Sequence, residues 1–255
     1  MSAKKQPSKG RKVVSRVITT LSLAVFIYSV YALGSIFYDY YHNRQVLAEV
    51  QDIYEAIEVP EDVTYGEFRS QFHDLHKINE DIVGWITIDD TKIDYPILQA
   101  EDNDYYLTRN YKREDTPAGS IFMDYRNNVG ESNRNTIVYG HRMKDGTMFN
   151  SLTKYLEDDF FENHKKVSYD TMYGSYDAEV FAAYYTTTEF DYIQTDFTSD
   201  MDYALFLDEI KSKSEIQADF DISPEDDIVT LSTCDYTLDP DEGRIVVHAK
   251  IVNKH

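Results

Sequence analysis

The sequence predicts a mainly β fold with helical additions, in which eight short strands form a closed or nearly closed barrel. Beyond residue 79, short runs rich in β-branched and aromatic residues alternate with turn residues. Eight such runs within roughly 170 residues favour a barrel, since closing the sheet removes its exposed edges. The expected strands are residues 82–88, 93–98, 120–123, 136–139, 165–170, 178–187, 228–233 and 244–252.

A membrane-spanning helix is expected at residues 17–37, which contain no charged residue. Residues 1–16 before it carry six basic side chains and no acidic one. As a helix, the uncharged stretch is about 30 Å long, which matches the hydrocarbon core of a bilayer. The positive-inside rule places the basic tail in the cytoplasm and the chain after the span outside the cell. A cleaved signal peptide is the alternative, but its apolar region is usually only about 7–15 residues long.

Two helices are expected within residues 38–79, as a stalk or an N-terminal cap, and residues 80–255 are assigned to the barrel. Apolar residues at helical spacing precede Pro60, which ends the first helix: Val46, Val50, Ile53 and Ile57. Thr64 and Glu67 have the spacing of a capping box, so a second helix is expected to carry Phe68, Phe72 and Leu75.

Two helical insertions are expected among the strands, at residues 148–156 and 200–212. The second places a long helix before the penultimate strand. Its apolar stripe predicts core contact, with a substrate groove as the alternative, and consists of Met201, Ala204, Leu205, Leu207 and Ile210.

Charge and cysteine content narrow the classes of function. Of 25 basic residues, 19 follow the span together with all 46 acidic residues, which gives the external part a formal charge of −27. Nucleic acid is therefore not an expected partner, because a site that binds phosphate groups needs positive charge.

A single cysteine cannot form an internal disulfide, so the stability of the external part must come from its hydrophobic core. An unpaired exported thiol is prone to oxidation, and its presence suggests a function.

Cys234, His141 and Arg244 are the candidate catalytic residues. Cysteine chemistry needs a thiol that can be deprotonated, a proton carrier for the leaving amine and donors for the developing oxyanion. An arginine keeps its charge, and its forked N–H groups can bind a peptide carbonyl. The alternatives are a buried inert cysteine, a surface histidine and an arginine paired with a nearby acid. Because His73 and His76 have no further matched ligand, neither a metal nor a cofactor is expected.

These segments resemble the sortases, and within them class B. Thr-Leu-Ser-Thr-Cys at residues 230–234 matches the TLxTC motif of that family, and Arg244 stands where the family has its arginine on the last strand. Residues 135–141, followed by residues 143–149, resemble the class B histidine segment. The resemblance implies a sortase-type eight-stranded β-barrel with two N-terminal helices and a long helix before the penultimate strand.

The resemblance also implies an activity, that of a membrane-anchored cysteine transpeptidase of Gram-positive bacteria. Such an enzyme cleaves a C-terminal sorting signal of exported proteins and transfers the thioacyl intermediate to an amine of the peptidoglycan precursor. By this resemblance Cys234 is the nucleophile, His141 the acid and base, and Arg244 the residue that orients substrate and stabilises the oxyanion. The implied substrate-binding residues are Asn103, Leu107, Thr188, Tyr192, Ile193, Ser232 and Asp235.

The expected partners are exported proteins with a sorting motif, the peptidoglycan amine and the plasma membrane, bound through residues 17–37. Class B relatives often recognise motifs of the Asn-Pro-x-Thr type, and others prefer a different first residue. Two alternatives keep the same site and change the acceptor: a pilin polymerase uses a lysine amine, and a hydrolytic thiol protease uses water. A non-catalytic surface module is the third alternative.

Overall fold

A computed structural model describes residues 9–56, 67–234 and 242–254, without the side chains of Lys9, Cys234 and Lys254. The chain divides into two compact units, Met1–Gln45 and Val46–His255. Helix α1 (Lys9–Glu55) supplies the described part of the first unit and continues into the second. Its large apolar side chains from Val13 to Phe37 are exposed. By length and composition the helix fits a single membrane span or a signal anchor.

The second unit is a closed barrel of eight strands, as the sequence predicted. The strands are β1 (Ile82–Thr87), β2 (Asp94–Leu98), β3 (Ile121–Met123), β4 (Asn135–Tyr139), β5 (Lys166–Thr171), β6 (Gly174–Thr186), β7 (Ile228–Cys234) and β8 (Arg244–Lys254). Their order around the barrel is β1-β2-β3-β4-β7-β8-β6-β5, with β5 paired to β1. The pairs β2–β3 and β4–β7 are parallel, and the other pairs are antiparallel.

Apolar side chains from every strand fill the barrel, and the end of α1 adds to this core. Val46 and Val50 are buried in it, as their helical spacing predicted, while Ile57 and Pro60 lie outside the described residues. The ring of Tyr54 stacks on Trp85 of β1 with centroids 4.0 Å apart. The last turns of α1 therefore belong to the folded barrel unit.

The second N-terminal helix, α2 (Phe72–Ile78), begins later than the sequence predicted. Phe68 precedes the helix and is 38% exposed, Gln71 is the N-cap residue, and Thr64 lies outside the described part of the chain. The reason is Arg69, whose backbone N–H donates to the Met172 carbonyl at 2.8 Å and whose guanidinium pairs with a carboxylate of β5. These bonds hold the segment before Phe72 out of the helix. Phe72 itself is buried, as predicted.

The first predicted insertion, at residues 148–156, forms a 3₁₀ helix (Phe149–Leu156) followed by α3 (Asp158–Asn163). The second is α4 (Asp200–Lys213), whose first turn is capped by Ser199 through a bond from the Asp202 N–H. Helix α4 precedes β7, so the long helix before the penultimate strand is present.

The apolar stripe predicted for α4 was only partly correct, since Leu207 and Ile210 are buried but Met201 and Leu205 are not. Met201 and Leu205 are 69% and 63% exposed. The buried face consists of Tyr203, Phe206, Leu207 and Ile210. The two aromatic rings pack with Phe197 against the outer side of β6 and β8, and the Tyr203 hydroxyl lies 2.9 Å from the carbonyls of Arg134 and Asp226. Aromatic side chains bury more area than methionine and alanine, so they set the orientation of the helix.

Candidate active site

Strand register brings the three candidate catalytic residues to one end of the barrel. Strand β7 lies between β4 and β8. In the parallel β4–β7 pair Tyr139 is opposite Ser232, and His141 and Cys234 each lie two residues further along. In the antiparallel β7–β8 pair Cys234 is opposite Arg244. The backbone positions of Cys234, His141 and Arg244 are therefore neighbours on three adjacent chain segments.

A cleft of about 250 Å³ opens at this end of the barrel. It is lined by Asn103, Asp104, Leu107, Phe122, Tyr139, Gly140, His141, Ser232, Thr233 and Arg244. Five of the residues named from the sequence are thus brought together: Asn103, Leu107, His141, Ser232 and Arg244. The sequence reasoning missed Tyr139, although it lies inside the histidine segment, and it missed Phe122, for which the short apolar run of β3 gave no signal.

The imidazole of His141 is oriented by a backbone carbonyl. Its Nε2 lies 2.7 Å from the carbonyl oxygen of Leu107, at the end of the 3₁₀ turn Tyr105–Leu107. A carbonyl oxygen only accepts hydrogen bonds, so Nε2 carries a proton and donates it. Gly119 permits this arrangement, because it has φ +57° and a Cβ there would lie 2.5 Å from the same Leu107 oxygen.

Arg244 is half-buried at the start of β8 and lines the cleft. Its Nη1 donates to the Gly243 carbonyl at 2.9 Å, which fixes the guanidinium close to its own backbone. A planar cation held there can donate to a carbonyl oxygen in the cleft.

The connection between β6 and α4 carries three further candidate residues, none of which is among the residues that line the cleft. The Thr188 hydroxyl donates to Glu242 at 3.0 Å, and the Tyr192 hydroxyl lies 2.9 Å from Ser232 Oγ. The Ile193 carbonyl accepts a bond of 3.0 Å from a guanidinium N–H. The last candidate, Asp235, lies outside the described residues.

A chain of buried hydrogen bonds runs from strand β6 through β8 and β7 to β4. The Thr230 hydroxyl donates to Asn135 Oδ1 at 2.6 Å and lies 2.8 Å from Nδ1 of His248. Because that hydroxyl has one proton, His248 must donate through Nδ1–H, and its Nε2 accepts from the Tyr184 hydroxyl at 2.8 Å. Burial lowers the pKa of His248 to about 3. Its ring is therefore neutral, with a defined tautomer.

This chain of hydrogen bonds ends on the segment that connects β6 to α4. The Asn135 amide group donates to the carbonyls of Tyr192 and Gln194 at 3.3 and 2.9 Å. The first threonine of the TLxTC motif, Thr230, thus orients the side chain that holds this connection. The motif includes this threonine, but its hydrogen-bond partners, His248 and Asn135, are 18 and 95 residues away in sequence, so the motif alone could not identify them.

Within residues 9–56, 67–234 and 242–254, no group of three or more histidine, cysteine or acidic side chains is arranged to hold a metal ion. The polar side chains that line the cleft carry an imidazole, a guanidinium, an amide, hydroxyls and the carboxylate of Asp104, and the first four kinds of group suit peptide chemistry.

Comparison with known proteins agrees with this architecture. A family model described as the sortase domain matches residues 86–252. The chain is 44% identical over 246 residues to sortase B of Listeria monocytogenes, covering 96% of this chain and 100% of the relative. It is 41% identical over 239 residues to sortase B of Staphylococcus aureus, covering 94% and 98%.

A solved structure gives the same result for the fold. The crystal structure of sortase B from Bacillus anthracis matches with a TM-score of 0.79 and 58% identity, covering 85% of this chain and 98% of that one. The sortase-type barrel that the sequence predicted is therefore confirmed. The chain belongs to the sortase family and is a class B sortase, a cysteine transpeptidase of the cell surface.

Proposed function

We propose that this transpeptidase is anchored in the membrane and cleaves a C-terminal sorting signal of exported proteins. It then transfers the new C-terminus to an amine of the cell-wall peptidoglycan. The observation that carries this proposal is the strand register, which gives Cys234, His141 and Arg244 neighbouring positions at the mouth of one cleft.

In the first half-reaction Cys234 is the nucleophile. Its thiol gives a proton to His141, and the thiolate attacks the carbonyl carbon of the scissile peptide bond. Donors on Arg244 stabilise the oxyanion that forms. The C–N bond then breaks, the leaving amine takes the proton from the imidazolium, and a thioester remains on Cys234. We propose Nδ1 as the ring nitrogen that exchanges this proton, since Nε2 donates to Leu107.

In the second half-reaction an acceptor amine replaces the leaving group. The amine attacks the thioester carbon and gives its proton to His141. The C–S bond breaks, a new amide bond forms, and the Cys234 thiolate is regenerated. The peptide chain gains the acceptor without net consumption of water.

The substrate groove is proposed to include Asn103, Leu107 and Ser232 in the cleft, with Thr188, Tyr192 and Ile193 on the adjacent connection and Asp235 beyond β7. An amide and a hydroxyl offer hydrogen bonds to a polar peptide, while leucine, tyrosine and isoleucine offer apolar contact. Contacts that join Tyr192 to Ser232 and Thr188 to Glu242 support a continuous surface.

The proposed segment organisation follows the sequence. Residues 1–16 are a cytoplasmic tail, 17–37 the transmembrane segment, 38–79 the helical stalk or cap and 80–255 the extracellular catalytic barrel. The exposed apolar side chains of α1 support the span. The basic residues before it support the orientation with the N-terminus in the cytoplasm.

The test uses the full-length chain in detergent micelles. The enzyme is incubated with a panel of sorting peptides, including the Asn-Pro-x-Thr type, together with triglycine, and products are followed by mass spectrometry. We expect cleavage between the last two motif residues, triglycine joined to the new end, and an acyl adduct on Cys234. Cys234→Ala is the matched control and should give neither adduct nor product.

Other outcomes select among the alternatives. Product formation by Cys234→Ala would overturn the proposed chemistry. Hydrolysis that exceeds aminolysis at saturating triglycine would identify a thiol protease. Preference for a lysine side chain within a folded pilin-like acceptor would identify a pilin polymerase.

A further inference from the structure

The carboxylate of Asp124 is fully buried directly after strand β3, in contact with two residues that line the cleft. Its Oδ1 accepts from the backbone N–H and Nε of Arg126 at 3.0 and 2.8 Å. Its Oδ2 accepts from Arg126 Nη2 at 2.8 Å, Asn103 Nδ2 at 2.9 Å and the Tyr139 hydroxyl at 2.8 Å. Both oxygens are therefore surrounded by donors.

This environment keeps Asp124 ionised. Burial alone would raise the pKa of its carboxyl group, but hydrogen bonds from Arg126, Tyr139 and Asn103 hold the pKa below its usual range. An ionised carboxylate can only accept hydrogen bonds. Each neighbouring polar group must therefore turn a donor toward it.

The consequence for Asn103 is a fixed amide orientation. Its Nδ2 donates to Asp124, and its Oδ1 accepts from the backbone N–H of Tyr125 at 3.1 Å. Reversing the amide would place its oxygen against the carboxylate and its NH₂ group against an N–H. Asp124 thus determines which side of the Asn103 amide is the donor and which is the acceptor, and therefore what Asn103 presents to the cleft.

The same carboxylate also reaches the connection after β6. Arg126 Nη2, which donates to Asp124, donates to the Ile193 carbonyl at 3.0 Å. Three separate chain segments, carrying Asn103, Tyr139 and Ile193, are therefore joined through one buried charge.

We propose that Asp124 is a positioning residue for the sorting peptide, which fixes the amide of Asn103, the hydroxyl of Tyr139 and, through Arg126, the connection at Ile193. The inference rests on the proposed function, because it assigns the cleft to peptide recognition. Asp124 acts through these neighbours and takes no part in the bond-making steps.

Asp124→Asn tests this role with little change in size. An asparagine presents one oxygen and one NH₂ group, and either orientation places that NH₂ group against donors. Relaxation then requires the Asn103 amide to turn over or the Arg126 pair to open. A hydrogen bond to a charged group is usually worth enough to change binding by about ten-fold or more. We expect KM for the best-cleaved peptide to rise by about that factor, with a smaller fall in kcat.

A double-mutant cycle with Asn103→Ala shows whether the effect passes through Asn103. The double variant should have a KM less than about three-fold above that of Asn103→Ala alone, since the amide that Asp124 orients is already absent. An equal effect in both backgrounds would overturn positioning through Asn103.

Asp170→Asn is the matched control. Asp170 is a carboxylate of β5 that accepts from Arg69, Tyr54 and Ser175, four strands away from β4 in the barrel order. Both substitutions should lower the melting temperature, whereas only Asp124→Asn should raise KM. A similar KM change in both variants would assign Asp124 to general stability instead.

A second readout does not depend on turnover. In the full-length chain with ¹⁵N-labelled asparagine, the side-chain amide signal of Asn103 should shift in Asp124→Asn and stay unchanged in Asp170→Asn. An unchanged signal in Asp124→Asn would overturn the proposal. If the wild type cleaves no sorting peptide, the proposed function fails, and this signal still decides whether Asp124 fixes the amide.

Discussion

The hydroxyls of Tyr192 and Ser232 lie 2.9 Å apart in a buried contact that joins the connection after β6 to strand β7. Ser232 lines the cleft two residues before Cys234. We expect Tyr192→Phe to destabilise the protein by about 1–2 kcal/mol, because a buried hydroxyl loses its partner. It should also raise KM for the sorting peptide. Equilibrium urea unfolding and steady-state kinetics measure the two effects.

The matched control for that contact is Ser232→Ala, alone and combined with Tyr192→Phe. Removing both hydroxyls removes both members of this contact, so the double variant should be about as stable as either single variant. Additive losses would show that the two hydroxyls do not interact.

Thr230→Val tests the chain of buried hydrogen bonds that ends on the connection after β6. Valine has nearly the shape of threonine but leaves Asn135 Oδ1 and His248 Nδ1 without their partner, and all three residues are fully buried. We expect a loss of about 2–4 kcal/mol in the free energy of unfolding. Trp85, the only tryptophan and 2% exposed, gives the fluorescence signal for urea titrations.

Thr230→Ser is the control for this substitution. It keeps the hydroxyl and loses only a methyl group, so its loss should be near 1 kcal/mol. Equal destabilisation by serine and valine would contradict a role for the hydroxyl.

The neutral ring of His248 predicts acid sensitivity of the fold. Burial lowers its folded pKa to about 3, against a usual value of 6.5. The unfolded chain therefore binds more protons between these two values, and stability falls as the pH drops from about 6.5 toward 3. From pH 7 to pH 5 this group should remove about 2 kcal/mol from the free energy of unfolding.

His248→Gln separates this contribution from that of the carboxylates. A glutamine can accept from Tyr184 and donate to Thr230, as the neutral ring does, but it does not titrate. Urea titrations at pH 7 and pH 5 should show a decline about 2 kcal/mol smaller than in the wild type. The same decline in both proteins would show that His248 is not the titrating group.

The local sequence was sufficient to predict the strands but not the orientation of α4. Short runs rich in β-branched and aromatic residues, bounded by turn residues, mark all eight strands, because each strand carries this pattern in its own sequence. On α4 the helical spacing allowed more than one apolar face, and only packing against Phe197 and strands β6 and β8 selects Tyr203 and Phe206. Such a choice depends on tertiary contacts, which a single helix does not encode.

The candidate site, like the fold, was predictable from the sequence only in part. A known motif marked Cys234, and the residues around His141 and Arg244 completed the set by resemblance. Asp124 gave no signal, since an aspartate after a short strand is typical of a turn. Its partners Asn103 and Tyr139 are 21 and 15 residues away; the pairing of β3 with β4 brings Tyr139 close, and the connection between β2 and β3 brings Asn103.

Gly119→Ala should lower kcat indirectly, because it displaces the carbonyl that orients His141 and makes no contact with the imidazole itself. Gly119 has φ +57°, and an alanine Cβ would lie 2.5 Å from the Leu107 oxygen and 2.7 Å from the Tyr106 oxygen. The backbone at Leu107 must move, which displaces the acceptor of the His141 Nε2–H. We expect a loss of about 1–3 kcal/mol in stability from backbone strain, and a lower kcat with an altered pH profile.

Gly130→Ala provides the comparison, because its Cβ would be 3.6 Å from the nearest atom, on Tyr173, with no unfavourable φ. This variant should match the wild type in melting temperature and in kcat. If Gly119→Ala lowers only the melting temperature and leaves the pH profile of kcat unchanged, the Leu107 carbonyl does not orient the imidazole. A shifted pH profile of kcat is the result that the geometry requires, since the displaced carbonyl then acts on proton transfer by His141; KM can change as well, because Leu107 also lines the cleft.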